Sequence, residues 1–357
     1  MRITCIVPTL GGGGAERVMT HLCAGLLARG HEITLLTLNN DVPDFYPVPE
    51  GITRVRVQVN RAGDLGWWGR LGRMWRLCCV VRRTKPETVI NFRSLFGCWT
   101  AWWLRIPFVF AEHTDISKVR LSKEELKRRN FILKRAHAVV VLSEKDKAYI
   151  AHHYPAWRAE VIYNPALRAK GSAKEDKPHF LDGRYNVLAV GRLTRQKGFD
   201  RLLESWNLIR DEFPEWRLSV VGAGEEEANL KSLADTLDVL GSVNFVPPVK
   251  NMAAVYAHAD VYAMSSRFEG FPMVLLEAMS AGLPAVSFIC NGPDMIIRDG
   301  VDGFLVPQGD TDKLARRLAE LMRDETKRRE MGEKAKEVSH RFTQESFLDA
   351  YERLCMR

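Results

Sequence analysis

A chain of 357 residues with 46% hydrophobic and 27% charged content is long enough for two ordinary domains and too apolar to be disordered. Its net charge of +8 is lopsided: residues 1–165 hold 25 basic and 14 acidic side chains, and residues 166–357 hold 27 and 30. A basic half implies an anionic partner, with nucleic acid and an anionic membrane surface both open on composition alone. The seven cysteines are odd in number and lack paired metal spacing, which fits a reduced cytoplasmic compartment. The opening MRITCIVPTL is too short and too charged for a signal peptide and reads as a strand. The longest apolar run, Leu95–Leu104, stops at Arg105, so no bilayer-spanning helix is expected.

Apolar runs alternate with helical patterns throughout, the signature of βαβ units and parallel sheets. In the first half, strands are expected at Ile3–Val7, Ile33–Leu38, Val55–Val59, Thr88–Phe92, Phe108–Ala111, Ala138–Leu142 and Val161–Tyr163. After the first of them, Gly11–Gly14 with Ala15, Glu16 and Arg17 opens a helix, and the glycines let backbone approach a ligand that side chains would block. The dinucleotide fingerprint G-x-G-x-x-G fails there, because Arg17 replaces the third small residue; a purely structural turn is the alternative.

Residues 66–85 read as an amphipathic helix. At 100° per residue, Trp67, Leu71, Met74, Cys78 and Val81 share one arc, while Arg73, Arg76 and Arg83 share another with Arg70 between. His113 stands just past the strand Phe108–Ala111, where a strand's carboxyl end would face a ligand. A second basic patch runs from Lys118 to Arg135, with a capping box at Ser122 and Glu125. Basic helices with tryptophans suit adsorption to anionic lipid, although packing of the apolar arc on a sheet explains much of the pattern.

Segment 166–183 loses periodicity and reads as a linker. A second alternating series follows, with strands at Val187–Val190, Leu218–Val221, Val243–Val246, Val261–Met264 and Ala285–Phe288. Helices are expected near Phe199–Asp211, Glu225–Leu240, Met273–Ala281 and Asp312–Arg323, then a tail helix over Phe342–Leu354. The basic loop Gly191–Gly198 follows the first of these strands and delivers Arg192 and Lys197 at its carboxyl end. Arg offers a planar fork to phosphate oxygens and Lys a mobile point charge. Gly222-Ala223-Gly224 also follows a strand, but Glu225–Glu227 would repel phosphate, so that loop reads as structural. Asp310-Thr311-Asp312 resembles a metal motif, yet it sits where helix caps belong.

The richest stretch is Ser266–Pro284. A Gly-Phe-Pro turn feeds a helix starting near Pro272, whose free first-turn N–H groups point toward Glu269 and make a seat for phosphate. Glu277 lies further along that helix. Two carboxylates around one anion seat suit a ligand that also offers hydroxyls, as a sugar nucleotide does. Glutamates are common on helices; the turn, the proline and the small-residue exit Ala278–Gly282 give this pair its meaning.

These residues closely resemble the E-x7-E signature of retaining glycosyltransferases of the GT-B fold, family 4 in particular. That resemblance implies an α/β fold of two Rossmann-like domains facing across a cleft: 1–165, a linker at 166–183, 184–340, and a C-terminal helix, 341–357, crossing back to the first domain. It places Glu269 on the transferred sugar, Glu277 on the ribose, Arg192 and Lys197 on the donor diphosphate, and His113 against the donor sugar. It further implies donor contacts from Gly14, Gly270, Phe271, Met273 and Val274. The Gly13–Arg17 opening, Glu112-His113, the basic helix at 70–83 and Asn291-Gly292-Pro293 look most like bacterial enzymes that add N-acetylhexosamine, GalNAc favoured, from UDP to undecaprenyl-diphosphate-linked oligosaccharides. In that subgroup Arg70, Arg73, Arg76, Glu16 and Arg17 would meet the acceptor and its pyrophosphate. The implied partners are a UDP-sugar co-substrate, a polyprenyl-diphosphate acceptor and the inner, anionic face of the cytoplasmic membrane, with no cofactor and no metal. A nucleic-acid-binding protein would explain the charge but leave Glu269, Glu277, Arg192 and Lys197 idle, and a hydride-transfer enzyme lacks its fingerprint. Oligomeric state is not legible.

Overall fold

The computed structural model describes all residues except 40, 59–66, 120, 170, 173–175, 182–184 and 357, and omits the side chains of 67–71. The chain forms two compact units, Met1–Asn164 with Gln344–Arg357, and Pro165–Thr343.

The first unit carries strands β1 (Arg2–Val7), β2 (Glu32–Thr37), β3 (Thr53–Arg56), β4 (Thr88–Phe92), β5 (Phe108–Ala111), β6 (Ala138–Val141) and β7 (Ala159–Val161). Its helices are α1 (Gly14–Ala28), α2 (Trp67–Thr84), α3 (Leu95–Trp103), α4 (Lys123–Leu133) and α5 (Glu144–His153). All pairings are parallel in the order β3-β2-β1-β4-β5-β6-β7. The central strands are near-continuous apolar runs because helices cover both faces of such a sheet.

The second unit carries β8 (Tyr185–Val190), β9 (Trp216–Val221), β10 (Val243–Val246), β11 (Val261–Met264), β12 (Ala285–Phe288) and β13 (Gly303–Val306). They pair in parallel in the order β10-β9-β8-β11-β12-β13. Between and after them lie α6 (Phe199–Asn207), α7 (Glu227–Thr236), α8 (Met252–Ala257), α9 (Met273–Ser280), α10 (Pro293–Ile296), α11 (Thr311–Arg323), α12 (Glu325–Ala335) and α13 (Val338–Arg341). Trp206, Trp216, Phe288, Leu314 and Leu318 are among the side chains filling its core. The last helix, α14 (Gln344–Met356), belongs to the first unit, where Leu348 packs so closely on α1 that a Cβ at Gly25 would come within 2.5 Å of it.

Several expectations shift. β13 goes unannounced because its Gly303 interrupts the apolar run; a Cβ there would meet the Ala285 carbonyl at 2.2 Å. The last strand of the first unit ends at Val161 rather than beginning there. Segment 166–183 is no free spacer in its described part: Leu167 and Leu181 are buried in the second unit and Asn244 donates to the Phe180 carbonyl. Among the described side chains of α2 the fully buried ones are Leu77 and Val81, with Met74 and Cys78 half-buried. The buried arc is therefore rotated toward Leu77, and Arg73 is half-buried beside it rather than grouped with exposed Arg76 and Arg83. Trp67, Trp68, Arg70 and Leu71 have side chains outside the described set. Within the basic patch of residues 118–135, Arg129 is not a surface cation. It is buried, pairs with Glu112 at 2.6 Å and lies over the rings of Phe110 and Trp157. Arg120 lies outside the described residues.

Candidate active site

In each sheet the strand order reverses once, between β1 and β4 and between β8 and β11. Connections leave in opposite directions at such a point, opening a crevice at the strands' carboxyl ends where ligands settle. The loop after β8 is Gly191–Gly198, and the loop after β11 is Ser265–Pro272. The two segments that carried the strongest chemistry in the sequence are thus neighbours across the reversal in the second sheet.

Backbone contacts lock these loops together. Gly198 has φ +65°, and a Cβ there would sit 2.2 Å from the Ser265 carbonyl, so only glycine allows the approach. The Arg267 amide donates to the Gln196 carbonyl, the Gln196 side chain donates to the Phe268 carbonyl, and the Ser265 hydroxyl donates to the Lys197 carbonyl. Arg267 also grips Asp200 through two nitrogens, at 2.8 and 2.6 Å. Burial would raise the Asp200 carboxyl, but the Arg267 bonds and charge outweigh it and hold it below its usual value.

The reward is one close pair. Lys197 Nζ donates to Glu269 Oε1 at 2.6 Å, the Ser266 hydroxyl donates to the same oxygen at 2.7 Å, and Glu269 is buried. Gly191 makes room for the lysine: a Cβ there would lie 3.2 Å from Lys197 Cε. Arg192 is exposed on the same loop and has no partner among the described residues. Pro272 is the N-cap of α9, not its first helical residue, and no side chain caps that end. The first-turn N–H groups at Met273 and Val274 are thereby offered to an anion. Gly270, Phe271 and Met273 are buried and Val274 half-buried; Phe271 is held edge-on by Phe342 at 5.1 Å. One helical stretch on, buried Glu277 accepts a hydrogen bond from the Tyr256 hydroxyl at 3.2 Å.

Sequence reasoning passed over the residues that shape this seat. Ser266, Gln196, Asp200 and Arg267 carry no motif of their own. Gln308 bridges the Ser266 and Arg267 carbonyls from the loop after β13. Gly292, at φ +97°, packs where a Cβ would meet Pro272 Cδ at 2.7 Å. Gly222 and Gly224 are structural: side chains there would strike the carbonyls of Gly191 and Leu193 at 1.8 and 2.3 Å. Asp310 caps α11 by accepting from the Lys313 amide.

The remaining candidates belong to the first unit. Gly14 is exposed at the start of α1, and the half-buried Glu16 folds back so that its carboxylate lies against Gly13. Arg17 and Arg73 are half-buried, and Arg76 is exposed. His113 follows β5 and lies 4.2 Å from the Phe92 ring. Both its ring nitrogens are buried with no partner among the described residues. Burial, helped by the nearby Arg93 charge, pushes its pKa down to about 3, so the imidazole is neutral at ordinary pH.

A pair of doubly wound parallel sheets, one presenting a cation–carboxylate pair beside an uncapped helix terminus, is the frame of an enzyme that handles nucleotide-linked groups. Residues 172–338 match the family Glycosyl transferases group 1 and residues 12–166 match Glycosyltransferase Family 4; the chain belongs to these glycosyltransferases and has the GT-B fold. It is 34% identical to the lipopolysaccharide core biosynthesis glycosyltransferase LpsE of Rhizobium meliloti, over 95% of this chain and 94% of that one. It is 26% identical to a GalNAc-alpha-(1->4)-GalNAc-alpha-(1->3)-diNAcBac-PP-undecaprenol alpha-1,4-N-acetyl-D-galactosaminyltransferase of Campylobacter jejuni, over 95% and 96%. Among solved structures, HepE of Anabaena in complex with UDP and glucose superposes with a TM-score of 0.81 at 19% identity, over 99% of each chain.

Proposed function

We propose that this glycosyltransferase moves an N-acetylhexosamine, GalNAc first among them, from UDP to a polyprenyl-diphosphate-linked oligosaccharide with retention of configuration. It would work from the cytoplasm against the inner membrane face. The observation that carries the donor half is the Lys197–Glu269 pair at 2.6 Å beside the uncapped start of α9. When the bond between the anomeric carbon and the diphosphate breaks, charge builds on the departing oxygen. Arg192, Lys197 and the α9 amides supply positive potential there, the type of stabilisation worth most in a shielded site. The Glu269 carboxylate, freed as Lys197 turns to phosphate, accepts from sugar hydroxyls, and Glu277 receives the ribose. His113, neutral and without a partner in the described set, is suited to a hydroxyl of the donor sugar. The acceptor half of the reading rests on the basic excess of the first unit and on likeness to the Campylobacter enzyme.

Likeness to LpsE favours a second reading, transfer of another UDP- or GDP-linked hexose in surface polysaccharide assembly. Incubating a lipid-linked acceptor with a panel of nucleotide sugars, with mass spectrometry of the product, separates the two. Addition of 203 Da supports the first, in the order of a HexNAc residue mass (about 203) against a hexose (about 162) by covalent composition. A hexose increment alone would exclude it. Because diphosphate neutralisation is assigned to side chains and a helix end, turnover should persist in EDTA. Loss restored by one divalent ion would refute that assignment.

A further inference from the structure

The edge of the first sheet opposite its ligand-bearing end carries an unusual surface. Lys85 precedes β4, Arg105 precedes β5, Lys134 and Arg135 precede β6 and Arg158 precedes β7, while Arg82 sits in the last turn of α2. Two shallow basins of about 500 and 380 Å³, both lined by Arg105 and Ile106, join these residues into one patch. All six cations are exposed, and none has an ion-pair partner among the described residues. Many surface cations elsewhere are matched: Lys231, Arg298, Arg317, Arg323, Lys327, Arg329 and Lys336 of the second unit are each paired with an acid. Glu87, the acid two residues from Lys85, is engaged by the Arg2 amide.

Aromatic side chains stand among these charges. Trp103 is 73% exposed, and Trp102 and Phe131 are exposed beside it. Lys85 and Arg105 adopt φ of +44° and +58° just after α2 and α3, where glycine is the relaxed choice. Cations at helix ends do offset the dipoles of α2, α3 and α4, but that role needs neither six charges nor an exposed tryptophan. Nucleic acid would need open ring faces for stacking. Here Phe131 is stacked by Trp99 and covered by the Arg135 guanidinium 3.7 Å from its centroid, and the same guanidinium lies over Trp102. Phe131 and Trp102 thus offer no free run of stacking faces, and Trp103 beside the cations suits an interface of lipid headgroups.

We infer that this amino-terminal edge of the first sheet, and not the start of α4, is the surface that docks the enzyme on an anionic bilayer. The inference rests on the membrane-acting reading above. The full chain would be co-sedimented with phosphatidylglycerol and with phosphatidylcholine vesicles at 150 mM salt, a condition of about one Debye length of 8 Å. Binding should be confined to the anionic vesicles. The triple variant Arg82→Glu, Lys134→Glu, Arg158→Glu should lose about a hundredfold in partition, since each cation contributes about fivefold near such a surface. Lys123→Glu, Lys127→Glu, Arg128→Glu carries the same charge change on the outer face of α4 and should lose far less. Quenching by brominated lipid should fall in Trp103→Phe. A UDP-induced thermal shift in each variant reports folding and the donor site independently, so failure of the donor reading shows separately. Equal losses in the two triple variants, binding to neutral vesicles, or release by oligonucleotide would overturn the inference.

Discussion

At the scale of single residues, the donor seat depends on charges held ready by neighbours. Arg192→Ala or Lys197→Ala should lower turnover by about a hundredfold or more through lost stabilisation of the leaving diphosphate, measured as kcat on saturating UDP-sugar. Lys197→Ala also leaves buried Glu269 with the Ser266 hydroxyl as its remaining side-chain donor among the described residues, so its UDP-sugar affinity should suffer more than that of Arg192→Ala. Wild-type rates in either variant would sink the assignment. His113 offers a test by stability. Its folded pKa of about 3 lies below the usual 6.5, so the unfolded chain binds the proton first. The neutral ring therefore contributes stability that is complete above pH 6.5 and erodes as pH falls toward 3, by at most about 1.4 kcal/mol per pH unit. Urea midpoints of wild type should drop more steeply between pH 6.5 and 4 than those of His113→Phe; parallel curves would contradict the burial argument.

At the scale of elements, two contacts decide whether loops and helices take their places. Gly198→Ala puts a methyl 2.2 Å from the Ser265 carbonyl at a left-handed backbone position. We expect a fall of several degrees in Tm, with UDP-sugar binding lost even at temperatures where the variant is folded. Retained affinity would mean that the two loops need not touch. The pair Arg129–Glu112 joins α4 to the end of β5 in the core. Arg129→Met strands a buried carboxylate and should cost about 3–5 kcal/mol, whereas adding Glu112→Leu should recover much of that. Denaturant unfolding of the two variants checks this, and equal losses would make the pair unimportant. The same burial explains why the charge pattern of residues 118–135 overstated the exposed patch. A sequence shows a row of cations but not which one the fold turns inward.

At the scale of the whole molecule, the first unit is assembled from both ends of the chain. Helix α14 buries Phe347, Leu348, Tyr351 and Leu354 in it. On the same helix Asp349 and Glu352 bind Arg29, each at 2.6 Å, and Glu352 also meets His31 at 2.7 Å. Four large apolar side chains, each contributing roughly 1.5–3 kcal/mol on burial, are more than a marginal domain can lose. Truncation after residue 343 should therefore unfold the first unit while residues 165–343, expressed alone, still give a UDP-dependent thermal shift. A truncated chain that melts like wild type would show that α14 adds nothing to the fold.

What the sequence determined is the part of the protein governed by local rules. Strands β4, β5, β11 and β12 fell where apolar runs placed them, because a parallel strand covered on both faces has no polar alternation to confuse it. Glu269, Glu277, Arg192 and Lys197 stood out because chemistry-bearing residues followed strand ends in glycine-marked loops. Tertiary structure decided the rest. It set the rotation of α2, which lies against α3 and β1 with Leu77 and Val81 buried and Met74 half-buried. It buried Arg129, left Arg82, Lys85, Arg105, Lys134, Arg135 and Arg158 along one sheet edge with no ion-pair partner among the described residues, and brought Lys197 to Glu269 across 72 residues of chain. Such pairings depend on the order in which strands join a sheet, and strand order is a property of the folded chain that no local stretch of it encodes.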